Sequence, residues 1–289
     1  MHQEFADALY SFVFVFFSIS VGVQEDAAGF VTRLIDKLLD QLKGTPHADT
    51  LKSTIFGETV DQFIGHPPKC RHSKERVEEF PTIPLTIRNN NSLLDSLKSF
   101  VQGEDMTGSN AYKCAACDAK VDTTKRTVFN RLPPTLIFNL NRFEMNYETM
   151  RSVKINDRFE FPIHLNMKPY TKTGIQQAEK EKQLTQHGAV SEKEKDYEMV
   201  SPPTLTTAPS DPSSISPSSA ITNSAVVSAS TSPDPPDSYY EYELTGVTVH
   251  TGTMDRGHYY SFINTERGNS DNPNGRWIEF NGNVHKQMI

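Results

Sequence analysis

The clearest periodicity lies near the amino terminus, where Ala27, Val31, Leu34, Ile35, Leu38 and Leu42 recur at steps of three and four. That stripe predicts an amphipathic helix over residues 24–43. Glu25 and Asp26 fall in its first turn, where the helix dipole favours acid, and Gly44 is placed as a C′ stop. Short strands are expected at 55–64 and 80–87. Ser92, with Asp95 three residues on, has the spacing of a capping box opening a helix through Leu93, Leu94, Leu97 and Val101. A turn from Tyr112 to Cys117 precedes strand candidates at 120–130 and 135–143, split by Pro133 and Pro134, which cannot donate to a ladder. Strand-like alternation returns at 242–250, 259–263 and 277–280.

Two stretches break this rhythm. Residues 12–23 are almost wholly apolar but number only 12, short of the roughly 20 a spanning helix needs. The segment before them carries Glu4 and Asp7 and no Lys or Arg, which does not suit a signal peptide. Residues 1–23 therefore read as an apolar start outside the domain. Residues 171–238 are charged at first, and from 201 onward are about two-thirds Ser, Thr and Pro without an aromatic residue. Such a composition buries too little apolar surface to offset chain entropy, so a disordered insert is expected there. The expected organisation is an apolar start, an ordered part at 24–170, the insert, and an ordered end at 239–289.

Charge narrows the partners. The net charge of −7, with a pI near 5.7, argues against a nucleic-acid surface, which needs clustered Lys and Arg. No membrane partner is expected either. The three cysteines do not make a closed disulfide framework, which points to a reducing compartment, the cytosol or nucleus.

Cys114-x-x-Cys117 is half of a tetrahedral zinc site, since the knuckle aims two thiolates at one ion. Upstream, Cys70 and His72 form a second pair, one residue closer than usual, which the longer reach of imidazole accommodates. His66 is the rival fourth ligand, although Pro67 and Pro68 stiffen its turn. Near the end, His258 follows the loop bracketed by Gly252 and Gly257, and Asn281 follows the strand begun by Trp277. A histidine and an amide on adjacent strands can pair, the amide orienting the ring while its other nitrogen faces a nucleophile. A structural histidine fits the same residues.

Taken together, these segments resemble the ubiquitin-specific protease family, the papain-like deubiquitinases. Gln24 to Phe30 (QEDAAGF) resembles its second box, a Gln-x-Asp-Ala-x-Glu-Phe pattern. Cys70-x-His72 and Cys114-x-x-Cys117 resemble the two knuckles of its zinc ribbon. Leu132 to Phe143 (LPPTLIFNLNRF), Phe161-Pro162 and Leu165 to Tyr170 follow in the family's order. Tyr242 to Gly252 with Gly257-His258-Tyr259-Tyr260 resembles the histidine box, and Trp277-x-x-Phe280-Asn281 the closing box. The short Cys-x-His knuckle is most like the very large multidomain members.

The resemblance implies an α+β fold, a papain-like cysteine protease with palm and zinc-ribbon fingers and the thumb mostly missing. It implies hydrolysis at the carboxy-terminal glycine of ubiquitin, with His258 as base and Asn281 fixing its tautomer. A structural zinc would be held by Cys70, His72, Cys114 and Cys117. Gln24 and Asp26, with Gly252 and Gly257, would contact the ubiquitin tail, and the partners would be ubiquitin and ubiquitinated proteins. Three departures stand out. No Gly-Asn-Thr-Cys-Tyr box is present and the ribbon takes every cysteine, so this chain is expected to be an inactive, amino-terminally truncated form. Gly29 stands where the second box has Glu. Gly282 stands where an acidic residue usually follows the third triad position. The alternative is a ubiquitin-binding protein without catalysis.

Overall fold

The structure, a computed structural model, describes residues 26–191, 234–254, 256–266, 272, 275–282 and 284–287. They fall into two units, 1–176 with 240–289, and 177–239.

In the larger unit, helix α1 (Ala27–Leu42) forms where the apolar stripe predicts it. Asp26 is its N-cap rather than a first-turn residue, its Oδ2 accepting from the Gly29 amide at 2.9 Å. Gly44 adopts φ +81°, as a helix stop requires. Helix α2 (Pro46–Ile55) follows, with Pro at its start, where its missing N–H costs nothing. No periodicity announced it, because it buries none of its residues.

The strands then run β1 (Gly57–Gly65), β2 (Ser73–Phe80), β3 (Ile83–Thr86), β4 (Glu104–Met106), β5 (Tyr112–Cys114), β6 (Ala119–Val121), β7 (Thr123–Arg131) and β8 (Phe138–Asn141). They continue as β9 (Phe143–Asn146), β10 (Arg151–Lys154), β11 (His164–Asn166), β12 (Glu241–Glu243), β13 (Gly246–Gly252), β14 (Gly257–Asn264), β15 (Trp277–Asn281) and β16 (Val284–Gln287). Strands β2, β1, β7 and β4 form one four-stranded sheet in that order, and β13 to β16 form another as a meander. Strand β2 is polar and almost wholly exposed, an edge strand with no buried face to mark it in sequence. Strand β3 pairs in parallel with β8.

Helix α3 (Leu93–Val101) opens on the capping residue Ser92, whose Oγ accepts from the Asp95 amide at 3.1 Å. Its buried face, Leu93, Ser96 and Leu97, lies against β3 and β7. The core there includes Val60, Ile83, Leu85, Val128 and Phe129, and Phe100 stacks on Phe129 at 5.3 Å. Burying a side chain of this size contributes roughly 2 kcal/mol, so this layer anchors the sheet from which the β5–β6 hairpin projects.

One expectation is corrected. The first part of the presumed disordered insert is helix α4 (Lys172–Ser191). Its start is fixed in the larger unit, where Thr171 Oγ1 accepts from the Gly174 amide at 3.1 Å and Lys172 pairs with Glu75 at 2.6 Å. Gln, Ala, Glu and Lys are strong helix formers, and a helix needs no apolar stripe where it faces water. In the smaller unit Gln177 reaches Asp234 at 3.4 Å. Residues 192–233 of that expectation, and residues 1–23, lie outside the described residues.

Candidate functional site

Two places gather the chemistry. The first lies beside the β1–β7 sheet. The connection from β1 to β2 carries Cys70 and His72, and the β5–β6 turn carries Cys114 and Cys117. Their ligand atoms all lie within 4.8 Å of one another. Cys70 Sγ stands 3.8 Å from Cys114 Sγ and 3.7 Å from Cys117 Sγ. His72 Nδ1 is 3.7 Å from Cys70, 3.9 Å from Cys114 and 3.3 Å from Cys117. Zinc–sulfur bonds of about 2.3 Å at tetrahedral angles imply sulfur separations of about 3.8 Å, so the donor set fits a tetrahedral dication. Val121 and Tyr112 back the cluster, and Tyr112 stacks on Phe63 at 4.9 Å. Gly65 belongs there because an added Cβ would stand 2.5 Å from Cys70 Sγ.

His66, the rival ligand, is turned elsewhere: its Nε2 lies 2.7 Å from Thr124 Oγ1. The two thiols of the β5–β6 turn are pushed in opposite directions. Backbone hydrogen bonds from Cys117 and Ala116 lower the Cys114 thiol against its burial, whereas the hydrogen bond to Cys70 and burial push Cys117 up to about 11. A bound dication would favour the thiolate form of Cys114 and Cys117.

The second place is the β13–β16 sheet. Thr251 pairs with His258, and Gly252 with Gly257, at the β13–β14 turn. Gly252 has φ +103° and would set a Cβ 2.4 Å from the Arg256 carbonyl oxygen. A Cβ on Gly257 would meet His250 Nε2 at 2.1 Å and the Thr251 carbonyl at 2.2 Å. Both glycines are thus required by the hairpin's own packing, independently of any ligand. Lys154 on β10 holds this end, its Nζ donating to the carbonyls of His250 at 2.9 Å and Gly252 at 3.1 Å. Nothing in the sequence marked Lys154, because its acceptors lie 96 and 98 residues away. Burial, then the Lys154 charge, holds the His250 imidazole below its ordinary value.

Ser261 pairs with Phe280 across β14 and β15, which puts His258 and Asn281 on one sheet face as diagonal neighbours. His258 Nε2 and Asn281 Oδ1 meet at 2.6 Å, and the ring is exposed. The amide end of Asn281 donates to Glu279 Oε1 at 3.0 Å. Tyr259, next to His258, accepts a hydrogen bond from the Ala27 amide, and burial pushes its phenol up. That contact brings the N-terminus of α1, with Asp26, to the histidine strand. Gln24 lies outside the described residues.

The family model described as ubiquitin carboxyl-terminal hydrolase matches residues 10–288. The chain belongs to this hydrolase family. It is 35% identical over 267 residues to ubiquitin carboxyl-terminal hydrolase 9X of Mus musculus, covering 91% of this chain and 9% of that protein. To ubiquitin carboxyl-terminal hydrolase 24 of Homo sapiens it is 34% identical, covering 92% of this chain and 9% of that protein. The chain therefore spans about a tenth of the length of these relatives. The solved SAGA DUB module of Ubp8, Sgf11, Sus1 and Sgf73, bound to monoubiquitin, matches with a TM-score of 0.62 and 21% identity, over 96% of this chain and 47% of that one. The mixed helix and strand fold is that of a hydrolase-family catalytic domain, as the motifs implied. The family match also takes in residues 10–23, which the hydrophobic pattern alone places outside the domain. Among the described residues no helix is long and apolar enough to cross a membrane.

Proposed function

We propose that this chain carries the base-and-orienter half of a thiol-dependent ubiquitin carboxyl-terminal hydrolase, together with a structural zinc ion. The observation that carries the reading is the 2.6 Å contact between His258 Nε2 and Asn281 Oδ1. With the oxygen of Asn281 toward Nε2–H, Nδ1 would draw a proton from a cysteine thiol and later return it to the leaving amine. Asp26 and the Gly252–Gly257 turn would border that nitrogen and receive the tail of ubiquitin, or of ubiquitin on a conjugate. Cys70, His72, Cys114 and Cys117 would hold zinc, which fixes the fingers and takes no part in the reaction. A reducing compartment, cytosol or nucleus, suits those thiols. The three cysteines of the chain all sit in the cluster, so the chain by itself would not hydrolyse conjugates. That same fact favours a second reading, a ubiquitin-binding protein without catalysis.

Calorimetric titration of ubiquitin into the purified chain tests the common ground of both. Ubiquitin should bind, and ubiquitin lacking its two terminal glycines should bind at least about tenfold more weakly, a difference of about 1.4 kcal/mol. Equal affinity for the two forms would sink the assignment of the histidine turn to the tail.

A further inference from the structure

We propose that Glu279 is the positioning residue that sets the hydrogen-bond polarity of the His258–Asn281 pair. The proposal rests on the reading of that pair as a base and its orienter. An asparagine presents a donor at one end and an acceptor at the other, so by itself it can face an imidazole either way. Only one way is productive, with the oxygen toward Nε2–H, because that leaves the lone pair of Nδ1 for a thiol. Glu279 removes the choice. It lies two residues before Asn281 on β15, hence on the same face, and its Oε1 accepts from Asn281 Nδ2 at 3.0 Å. A carboxylate can only accept, so the NH₂ end must turn to it and the oxygen end must turn to His258.

The same carboxylate answers the missing acid beside Asn281. Gly282 has φ +61°, in the tight connection that leaves Asn281 paired with Val284, and a side chain is disfavoured there. The negative charge lies instead one hydrogen bond behind the amide, where it polarises Asn281 toward the ring.

The test is nitrogen-15 NMR of the His258 ring in the full chain at alkaline pH. The His258 signals are assigned by their loss in His258→Gln. The native protein should show one tautomer, protonated at Nε2. In Glu279→Gln, whose amide can face Asn281 by either end, the two ring nitrogens should shift toward each other as the Nδ1–H tautomer is populated. Adding Asn281→Asp to Glu279→Gln should restore the single tautomer, since an aspartate has no wrong end. The thermal midpoint of Glu279→Gln should stay within about 2 °C of the native value. An unchanged tautomer in Glu279→Gln would overturn the proposal. So would a collapse of the midpoint, which would make the role structural, or a double variant that stays mixed. The readout needs neither ubiquitin nor turnover, so its failure is separate from failure of the functional reading.

Discussion

At the ribbon, four ligand atoms from two connections converge within 4.8 Å, with Cys70 and Cys114 separated by 44 residues of sequence. At the histidine sheet, two side chains from adjacent strands meet at 2.6 Å on an open face. The ribbon's donor set is complete, so its geometry can be judged against a metal on its own terms. The histidine sheet holds the proposed base and its orienter, with every cysteine of the chain 140 or more residues away in sequence and gathered in the other cluster. A cluster that an ion would close would take its stability from that ion, whereas a pair made of hydrogen bonds on a sheet depends on the turn and the side chains behind it.

Removing a ligand should therefore do most damage at the ribbon. His72→Ala or Cys114→Ser should cut zinc from about one per chain to a small fraction and lower the thermal midpoint by on the order of 10 °C. His66→Ala should keep the metal, because its ring serves Thr124. Zinc retained in His72→Ala but lost in His66→Ala would contradict the ligand set, and elemental analysis of the purified variants decides it.

Crowding the histidine turn should cost less. Gly257→Ala drives a methyl into His250 and the Thr251 carbonyl, which should destabilise by about 2 kcal/mol, or about 6 °C in the thermal midpoint. Gly282→Ala meets nothing within 4 Å and should cost only about 1 kcal/mol, through its positive φ. If calorimetry finds the two equal, the contact between Gly257 and His250 is not what shapes the turn.

The two regions also differ in how far the sequence reveals them. Cys114-x-x-Cys117 and Cys70-x-His72 are readable because metal chemistry demands particular residue types at short spacings, and all four come together. Helices α1 and α3 are readable because each buries one face, and a buried face leaves a period. Helices α2 and α4 and strand β2 leave no such mark, since solvent accepts any polar order. At the other site the spacing of His258 and Asn281 fits a structural histidine equally, and the resemblance of their boxes is what singles the pair out. Glu279 could have been found from its two-residue step before Asn281 on a strand. Lys154 could not, because its acceptors are backbone carbonyls, which carry no sequence signature.

The most direct test of the proposed contrast between a metal-binding cluster and a histidine pair without its own thiol is release of a fluorophore from the carboxy terminus of ubiquitin. It is run on zinc-loaded chain beside His258→Ala. A cysteine hydrolase needs the thiolate itself, and His258 with Asn281 alone offers at most base catalysis of water. The account predicts no release above buffer from either protein, with zinc still bound in both. Turnover by the native chain that His258→Ala abolishes would contradict it, and would place a nucleophile beside His258 that the three cysteines of the ribbon do not supply.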